Sequence, residues 1–157
     1  MMMAYQVLIT DPRTLSRGTP PDPSPWVYLG TDLEQRARAG RILGEKRRVE
    51  IGGRLSAAMT ALRRPFQDLI AEIGAGQEDT LGWWSSRLSW RMWTTSDLFL
   101  LTCYSSVARD LIRETESSGG KLVIVVEDPW LLKQMGGKAG LATQRMVLAL
   151  LGIARRV

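Results

Sequence analysis

Two aspartates follow directly on apolar, strand-like runs of the sequence. Asp11 comes after residues 5–10, and Asp128 comes after residues 122–126 and Glu127. Ligands of open parallel sheets bind outside the carboxyl ends of the strands, so Asp11 and Asp128 are candidate substrate-binding residues. A proline follows each of them, and Asp-Pro also forms turns and helix caps without any ligand. Glu127 and Asp128 point to opposite faces of a strand, which argues against a carboxylate pair that shares one proton.

A tryptophan-rich segment supplies the other candidate residues. Four of the six tryptophans fall between residues 83 and 93, with Arg87 and Arg91 among them. Indole rings stack on sugars or bases, and they also line membrane interfaces or pack internally. An arginine in such a segment can pair with a phosphate through two hydrogen bonds. Trp83, Trp84 and Arg87 are therefore candidate substrate-binding residues, with internal packing as the ordinary alternative.

Composition excludes several kinds of site. The chain has no histidine, which rules out Ser-His-Asp and Cys-His catalysis and every histidine-ligated metal site within it. Cys103 is the single cysteine, so no internal disulfide forms. Gly120-Lys121 and Gly137-Lys138 lack the Ser or Thr that ends a phosphate-binding P-loop, and a GxGxxG turn is absent. We expect neither a cofactor nor a metal ion.

The order of strand-like and helix-like segments indicates an α/β protein. Residues 5–10 and 26–30 are typical of strands. Residues 122–126 form an unbroken, mostly β-branched run that is typical of a strand buried on both faces. Five of the seven prolines occupy a loop at 11–25. We predict a small, mostly parallel Rossmann-like sheet flanked by helices, in a domain that covers residues 1–140.

Capping signals and periodicity predict helices between the second and third strands. Thr31 and Glu34 have the capping-box spacing, and they open a helix that we expect to reach residue 48. Apolar residues at steps of three and four predict a second helix over residues 55–73. Pro65 lies inside this stretch and should kink or divide it.

Two further helices flank the buried strand, and a last one follows. Ser96 and Asp97 open the first, which ends at Gly119, and the second covers residues 129–135. Residues 141–157 predict an apolar carboxyl-terminal helix that leads to a missing second half. A parallel sheet of three or four strands must be covered on both faces. So small a sheet is typical of an incomplete or amino-terminal half of a larger protein.

The positive charge is concentrated in one segment. Residues 33–64 carry nine basic and three acidic side chains, whereas the whole chain has a net charge of +5. This segment is suited to the phosphates of an anionic polymer or a lipid surface, although a solvated helix face has the same composition. Aromatic residues do not interleave with these charges, so we do not expect nucleic acid as a partner. The basic residues of its first helix are Arg36, Arg38, Arg41, Lys46, Arg47 and Arg48.

The amino terminus and the hydropathy profile favour the cytoplasm. The first twelve residues lack the basic region of a signal peptide, and no run reaches the roughly 18 apolar residues that span a bilayer. We expect a cytoplasmic protein, with peripheral contact to the inner membrane as an open alternative.

A family resemblance covers about residues 80–135. Three motifs carry it: WWS at 83–85, SDLFLLTCY at 96–104 and LVIVVEDP at 122–129. In these motifs the sequence resembles the amino-terminal region of bacterial surface-carbohydrate biosynthesis proteins. That group is glycosyltransferase-like, with two Rossmann-like halves in the GT-B arrangement. In it a Trp-rich stretch precedes a Ser-x-Leu/Phe-Leu-x-x-Cys helix, and a glycine turn and a buried strand ending in an acid follow.

The resemblance implies a role in building lipopolysaccharide or capsule polysaccharide. The partners would be a membrane-linked sugar acceptor and a nucleotide-sugar, the latter as a substrate and not as a cofactor. In GT-B enzymes the carboxyl-terminal half mainly holds the nucleotide-sugar, and the amino-terminal half commonly faces the acceptor, which suits Trp83, Trp84 and Arg87. The resemblance thus implies an acceptor-side half that is inactive alone, and it transfers no catalytic residue. The alternative is a non-catalytic binding module that uses residues 33–64 to hold an anionic polymer or a membrane surface.

Overall fold

The computed structural model describes five parts of the chain: residues 6–15, 24–75, 77, 80–81 and 97–136. The chain divides into two compact units. We call the first the sheet unit, which comprises Met1–Gly53 and Ser105–Ala139. We call the second the helical unit, which comprises Arg54–Tyr104 and Gly140–Val157.

The sheet unit contains a three-stranded parallel sheet. Strands β1 (Gln6–Thr10), β2 (Trp26–Leu29) and β3 (Lys121–Val126) lie in the order β1-β3-β2, and β3 pairs in parallel with both neighbours. Helices precede and follow the central strand along the chain. The predicted α/β class, a small parallel Rossmann-like sheet flanked by helices, is confirmed.

Strand β3 is central because its side chains suit burial on both faces. All five residues from Leu122 to Val126 are buried, and the last three are completely inaccessible to solvent. A strand covered on both faces has no position for a polar side chain, which explains the unbroken aliphatic run. Full burial of one such side chain stabilises a fold by roughly 1.5–3 kcal/mol. Exposing this strand would therefore be costly.

Helix α1 (Leu33–Leu43) begins one residue later than the capping-box spacing predicts. Its N-cap is Asp32, whose carboxylate accepts hydrogen bonds from the N–H groups of Glu34 at 2.9 Å and Gln35 at 3.0 Å. Thr31 is not the cap, because the carboxylate at the next position already satisfies the free N–H groups of the first turn. The N–H of Gln35, the Gln35 side chain and the N–H of Glu34 hold the pKa of Asp32 below its ordinary value.

Helix α1 also ends earlier than predicted. Its last residue is Leu43, and Gly44 follows with a φ of 89°, a left-handed conformation that glycine adopts without strain. A short 3-10 turn comes next at Glu45–Arg47, and the Val49 N–H then donates to the Trp26 carbonyl at 2.7 Å. This hydrogen bond places Val49 beside β2, so the chain does not continue α1 there.

Trp26 lies in the middle of the core of the sheet unit. Its side chain is completely buried, and its indole N–H donates to the Gly44 carbonyl at 2.9 Å, so the polar edge of the ring is satisfied. The indole thereby ties β2 to the end of α1. The same cluster contains Leu15, Tyr28, Ala39, Leu43, Val123 and Val125.

Helix α2 (Gly52–Gly74) is not divided by Pro65. A proline inside a helix removes one backbone hydrogen bond and costs about 3 kcal/mol, so other interactions of this helix must offset that cost. The predicted apolar stripe is buried or half-buried along its first part. Further on, Ile70 is buried, whereas Ile73 is exposed.

The described core of the helical unit joins α2 to the first turns of helix α3 (Asp97–Ser118). Leu62 of α2 packs with Phe99 and Cys103 of α3, and the rings of Phe66 and Phe99 meet edge to face with centroids 5.1 Å apart. Leu55, Ala58 and Met59 are half-buried against this cluster.

Helix α3 ends as its glycine pair predicts. Gly119 has a φ of 66°, and its N–H donates to the Glu116 carbonyl, while the Gly120 N–H donates to the Thr115 carbonyl. This pair of bonds is the Schellman motif, in which a left-handed residue satisfies the last carbonyl groups of a helix. The motif turns the chain directly into β3.

Helix α4 (Pro129–Gly136) follows β3 after two residues and contacts both β1 and β3. Proline stands at its first position, where a missing N–H costs nothing. Leu131 is completely buried and anchors the helix. The predicted helix over 129–135 is confirmed to within one residue.

The predicted helix over 141–157 lies outside the described residues, and the predicted domain over 1–140 extends beyond them. Both stay predictions. In the part of the chain that the structure describes, no helix is long and apolar enough to cross a membrane.

We expect the Cys103 thiol to be unreactive while the protein is folded. The side chain is completely buried beside Leu62 and Phe99, and this burial raises its pKa to about 11. The thiolate, which is the reactive form, is therefore scarce at pH 8. Since Cys103 is the single cysteine, a disulfide reagent should label one thiol per chain after unfolding in urea and almost none before.

The raised pKa also gives a pH dependence. Because the pKa of the buried Cys103 thiol lies above its ordinary value of 9.0, the contribution of the neutral thiol to stability is complete below about pH 9 and is lost as the pH rises towards 11. Rapid labelling of the folded chain at pH 8 would contradict the burial of this side chain.

Candidate functional site

The three strands end together at one edge of the sheet, which we call the carboxyl edge. The parallel register aligns the last residues of β1, β2 and β3 to within one position. Asp11, Gly30 and Glu127 each follow the last residue of a strand at this edge. Open α/β sheets bind their ligands at such an edge, so the candidate site lies here.

Asp11 forms a turn after β1. Its Oδ1 accepts the Arg13 N–H at 2.6 Å, and its carbonyl accepts the Thr14 N–H at 3.1 Å and the Thr14 hydroxyl at 2.8 Å. These are the contacts of an Asx turn, in which the side chain replaces a backbone acceptor. Arg13 and Thr14 are exposed beside it. A role of Asp11 in binding stays a prediction.

Asp128 caps helix α4. Its Oδ1 accepts the Leu131 N–H at 2.7 Å, and its carbonyl accepts the Leu132 N–H at 2.9 Å. This is the ordinary arrangement of an aspartate N-cap, with Pro129 at the first helical position. The carboxylate thus has a local structural partner, and a binding role for Asp128 also stays a prediction.

Glu127 makes the long-range contacts of the carboxyl edge. Its Oε2 accepts the Tyr28 hydroxyl at 2.9 Å, the Thr31 N–H at 2.7 Å and the Asp32 N–H at 2.9 Å. One carboxylate oxygen therefore ties the end of β3 to the end of β2 and to the turn that opens α1. Hydrogen bonds to an ionised carboxylate are roughly twice as strong as bonds between neutral groups.

Gly30 leaves the space that this carboxylate occupies. A Cβ at position 30 would lie 2.1 Å from Glu127 Oε2 and 2.6 Å from Glu127 Cβ. Real Cβ atoms do not approach other atoms so closely, so only glycine fits here while Glu127 is in place.

The sequence patterns did not single out Glu127 for this role. They treated it as one of two adjacent acids and argued against a shared-proton pair. The structure separates the two side chains as that argument expects: Glu127 contacts the β2–α1 turn, and Asp128 caps α4. The one available signal was a glutamate directly after a buried strand, and its partners lie too far along the chain for any local pattern.

The contacts at the β2–α1 turn decide what it can bind. The N–H groups of a strand-to-helix turn commonly hold phosphate in α/β proteins. In this chain Glu127 accepts the N–H groups of Thr31 and Asp32, and the Asp32 side chain accepts those of Glu34 and Gln35. Two carboxylates thus occupy the donors that a phosphate would use.

Trp130 is an exposed aromatic side chain next to this edge. It is the second residue of α4, and 41% of its surface remains accessible. The Asp128 cap and the buried Leu131 hold this end of the helix in place. An accessible indole offers a stacking surface for a ring-shaped ligand.

The three candidates of the tryptophan-rich segment, Trp83, Trp84 and Arg87, lie outside the described residues. Their role in substrate binding stays a prediction. Among the residues that are described, no group of Cys, Asp or Glu side chains is placed to hold a metal ion.

The basic residues of α1 do not share one side of the helix. Arg36, Arg38 and Arg41 are all exposed. Arg38 and Arg41 lie about 60° apart around the helix, whereas Arg36 lies about 140° from Arg41. Arg48 is held between two glutamates, with its Nε 2.9 Å from Glu45 Oε1 and a second ion pair to Glu50. Part of the positive charge is thus neutralised within the segment.

Comparisons of the chain with protein-family models, curated proteins and solved structures find no match. The proposed function therefore depends on the sequence motifs and on the chemistry of the carboxyl edge.

We expect Gly30→Ala to destabilise the protein by roughly 1–3 kcal/mol, the usual cost of forcing an atom into a filled space. The new Cβ would displace Glu127 from the turn. Urea unfolding followed by circular dichroism measures the change. Gly53→Ala in α2 is the matched control, because its Cβ would meet no atom within 4 Å. The control should match or slightly exceed the stability of the unsubstituted chain, and equal stability of all three proteins would contradict the close packing at Gly30.

We expect Asp128→Ala to lose about 1 kcal/mol of stability, the typical cost of removing an N-cap. Asp128→Asn keeps an oxygen that can accept the Leu131 N–H, so it should lose much less. Urea unfolding of both variants measures the difference. Equal losses would show that the carboxylate charge matters more than the cap.

Proposed function

We propose that this chain is a glycosyltransferase-like protein of bacterial surface-polysaccharide biosynthesis and that its sheet unit serves the acceptor side. The carrying observation is the carboxyl edge: three parallel strands end together, and carboxylates of the chain occupy the phosphate-type donors there. The motifs at 83–85, 96–104 and 122–129 support the family, and the parallel sheet agrees with it.

The chemistry of the edge favours an uncharged acceptor over a nucleotide-sugar. Glycosyl transfer breaks the bond between the sugar and its phosphate leaving group and forms a bond to an acceptor hydroxyl, which gives up its proton. The leaving group carries negative charge and needs donors or cations to hold it. The β2–α1 turn offers neither while Glu127 and Asp32 occupy it, whereas hydroxyl groups of a sugar can bind near neutral and acidic side chains.

Trp130, Asp11 and Asp128 are the side chains that we place on the acceptor. An indole face stacks on a sugar ring, and carboxylates accept hydrogen bonds from its hydroxyl groups. Trp83, Trp84 and Arg87 of the tryptophan-rich segment stay separate candidates for contact with the acceptor. The nucleotide-sugar would be held by a second half, so the chain alone should bind an acceptor without turning over a donor.

A second candidate function is favoured by one observation, the exposed pair Arg38 and Arg41 on α1. Neither side chain has an ion-pair partner within the described residues. Such a pair is suited to an anionic polymer or an anionic membrane surface. On this alternative the chain would be a non-catalytic binding module.

The test compares neutral and anionic probes on the unsubstituted chain. Ligand-observed NMR with a panel of neutral methyl glycosides should show binding of at least one glycoside. Its affinity should change less than about twofold between about 50 and 200 mM NaCl, because no counterions are released. UDP-glucose should bind at least about tenfold more weakly, and it should not be hydrolysed or transferred.

Variants assign the binding to a surface. Trp130→Ala should weaken glycoside binding at least about tenfold. A tenfold change in affinity corresponds roughly to the binding free energy of one aromatic contact. Leu33→Ala is the control, since Leu33 is also an exposed apolar residue of the sheet unit. Absence of glycoside binding, or turnover of UDP-glucose by the chain alone, would contradict the acceptor-side proposal. Binding to anionic vesicles that falls steeply with salt and is lost in a variant with Arg38→Ala and Arg41→Ala would establish the second candidate instead.

A further inference from the structure

Glu127 accepts hydrogen bonds from three donors that could also bind a small oxyanion. The Tyr28 hydroxyl and the N–H groups of Thr31 and Asp32 all point to its Oε2, at 2.7–2.9 Å. Convergent donors around one oxygen are the way in which proteins hold carboxylate and phosphate groups. These donors are separate from those of the first turn of α1, which the Asp32 side chain accepts.

The same side chain fills the space at the turn. Gly30 has no Cβ, and the room that this leaves is taken by the Glu127 carboxylate and Cβ, 2.1 and 2.6 Å from where a Cβ would stand. A second anion cannot enter without moving Glu127. It would also meet the repulsion of two carboxylates in the same turn, those of Glu127 and Asp32.

We infer that Glu127 is a specificity-determining residue that keeps phosphate-bearing ligands out of the β2–α1 turn. This inference rests on the proposed function and adds the ligand class to it: the carboxyl edge takes an uncharged, hydroxyl-rich acceptor and rejects the phosphates of the donor. In nucleotide-binding α/β proteins a strand-to-helix turn commonly holds a phosphate of the ligand.

Removal of the Glu127 side chain distinguishes a purely structural role from the role that we infer. If the carboxylate only ties β3 to the turn, then Glu127→Ala destabilises the protein and does nothing else. If it also occupies a site for oxyanions, its removal uncovers three donors, and free phosphate should bind there. Binding of phosphate to the folded state raises the melting temperature by mass action.

The experiment measures the melting temperature of the full chain by circular dichroism in inorganic phosphate and in NaCl of equal ionic strength. The melting temperature of Glu127→Ala should be higher in phosphate than in NaCl. The apparent affinity of this variant for phosphate should be at least about tenfold higher than that of the unsubstituted chain. Glu127→Gln retains an amide oxygen that can accept the N–H groups of Thr31 and Asp32, so it should gain no phosphate affinity. Glu72→Ala is the matched control, because it removes an exposed carboxylate of α2 by the same substitution and leaves the turn occupied.

Two results would overturn the inference. One is an equal response to phosphate in Glu127→Ala, Glu72→Ala and the unsubstituted chain. The other applies if Glu127→Ala is unfolded in NaCl. Its helical circular dichroism signal should then return as phosphate is added. A chain that stays unfolded at every phosphate concentration would contradict a site for oxyanions.

This test is separable from that of the proposed function. Glycoside binding is measured on the unsubstituted chain and does not depend on phosphate. A gain of phosphate affinity without any glycoside binding would leave the role of Glu127 at the turn intact and remove the acceptor. The reverse result would keep the acceptor and reduce Glu127 to a structural tie.

Discussion

The carboxylate of Glu127 holds the carboxyl edge of the sheet together. It joins the end of the central strand to a turn that lies about 95 residues earlier in the chain, with Tyr28 as a third partner. A side chain that accepts three donors at once fixes the turn, and the turn fixes where α1 begins. Gly30 is part of the same constraint, since any side chain there would occupy the space of the carboxylate.

This constraint links the fold to its chemistry. Parallel strands leave their ends at one edge, and the N–H groups of the following turns usually make that edge attractive to anions. In this chain Glu127 and Asp32 already accept the N–H groups of one turn, so those donors are not available to a phosphate. The exposed side chains beside it include the Trp130 indole and, after β1, Arg13 and Thr14. For this reason the function that we propose assigns a neutral ring, and not a nucleotide, to this edge.

The candidate site could be predicted in position and only partly in role. Asp11 and Asp128 do lie at the ends of aligned strands, because an apolar run followed by an acid marks the end of a parallel strand. Their local contacts are a turn and a helix cap, which sequence reasoning also named. Glu127 and Trp130 carry the chemistry that we now assign to the edge, and no pattern distinguished them, since burial and distant partners decide their roles.

The sequence by itself determined the class of the fold. The unbroken aliphatic run of β3 requires cover on both faces, and the glycine pair after α3 requires a left-handed stop; both signals act between neighbouring residues. Only the tertiary structure decided where α1 begins and ends and which carboxylate occupies the β2–α1 turn. Those outcomes depend on Glu127 and on the contacts of Trp26 with Gly44 and Val49. Propensity and capping act over about one helical turn, whereas these partners meet only after the sheet has formed.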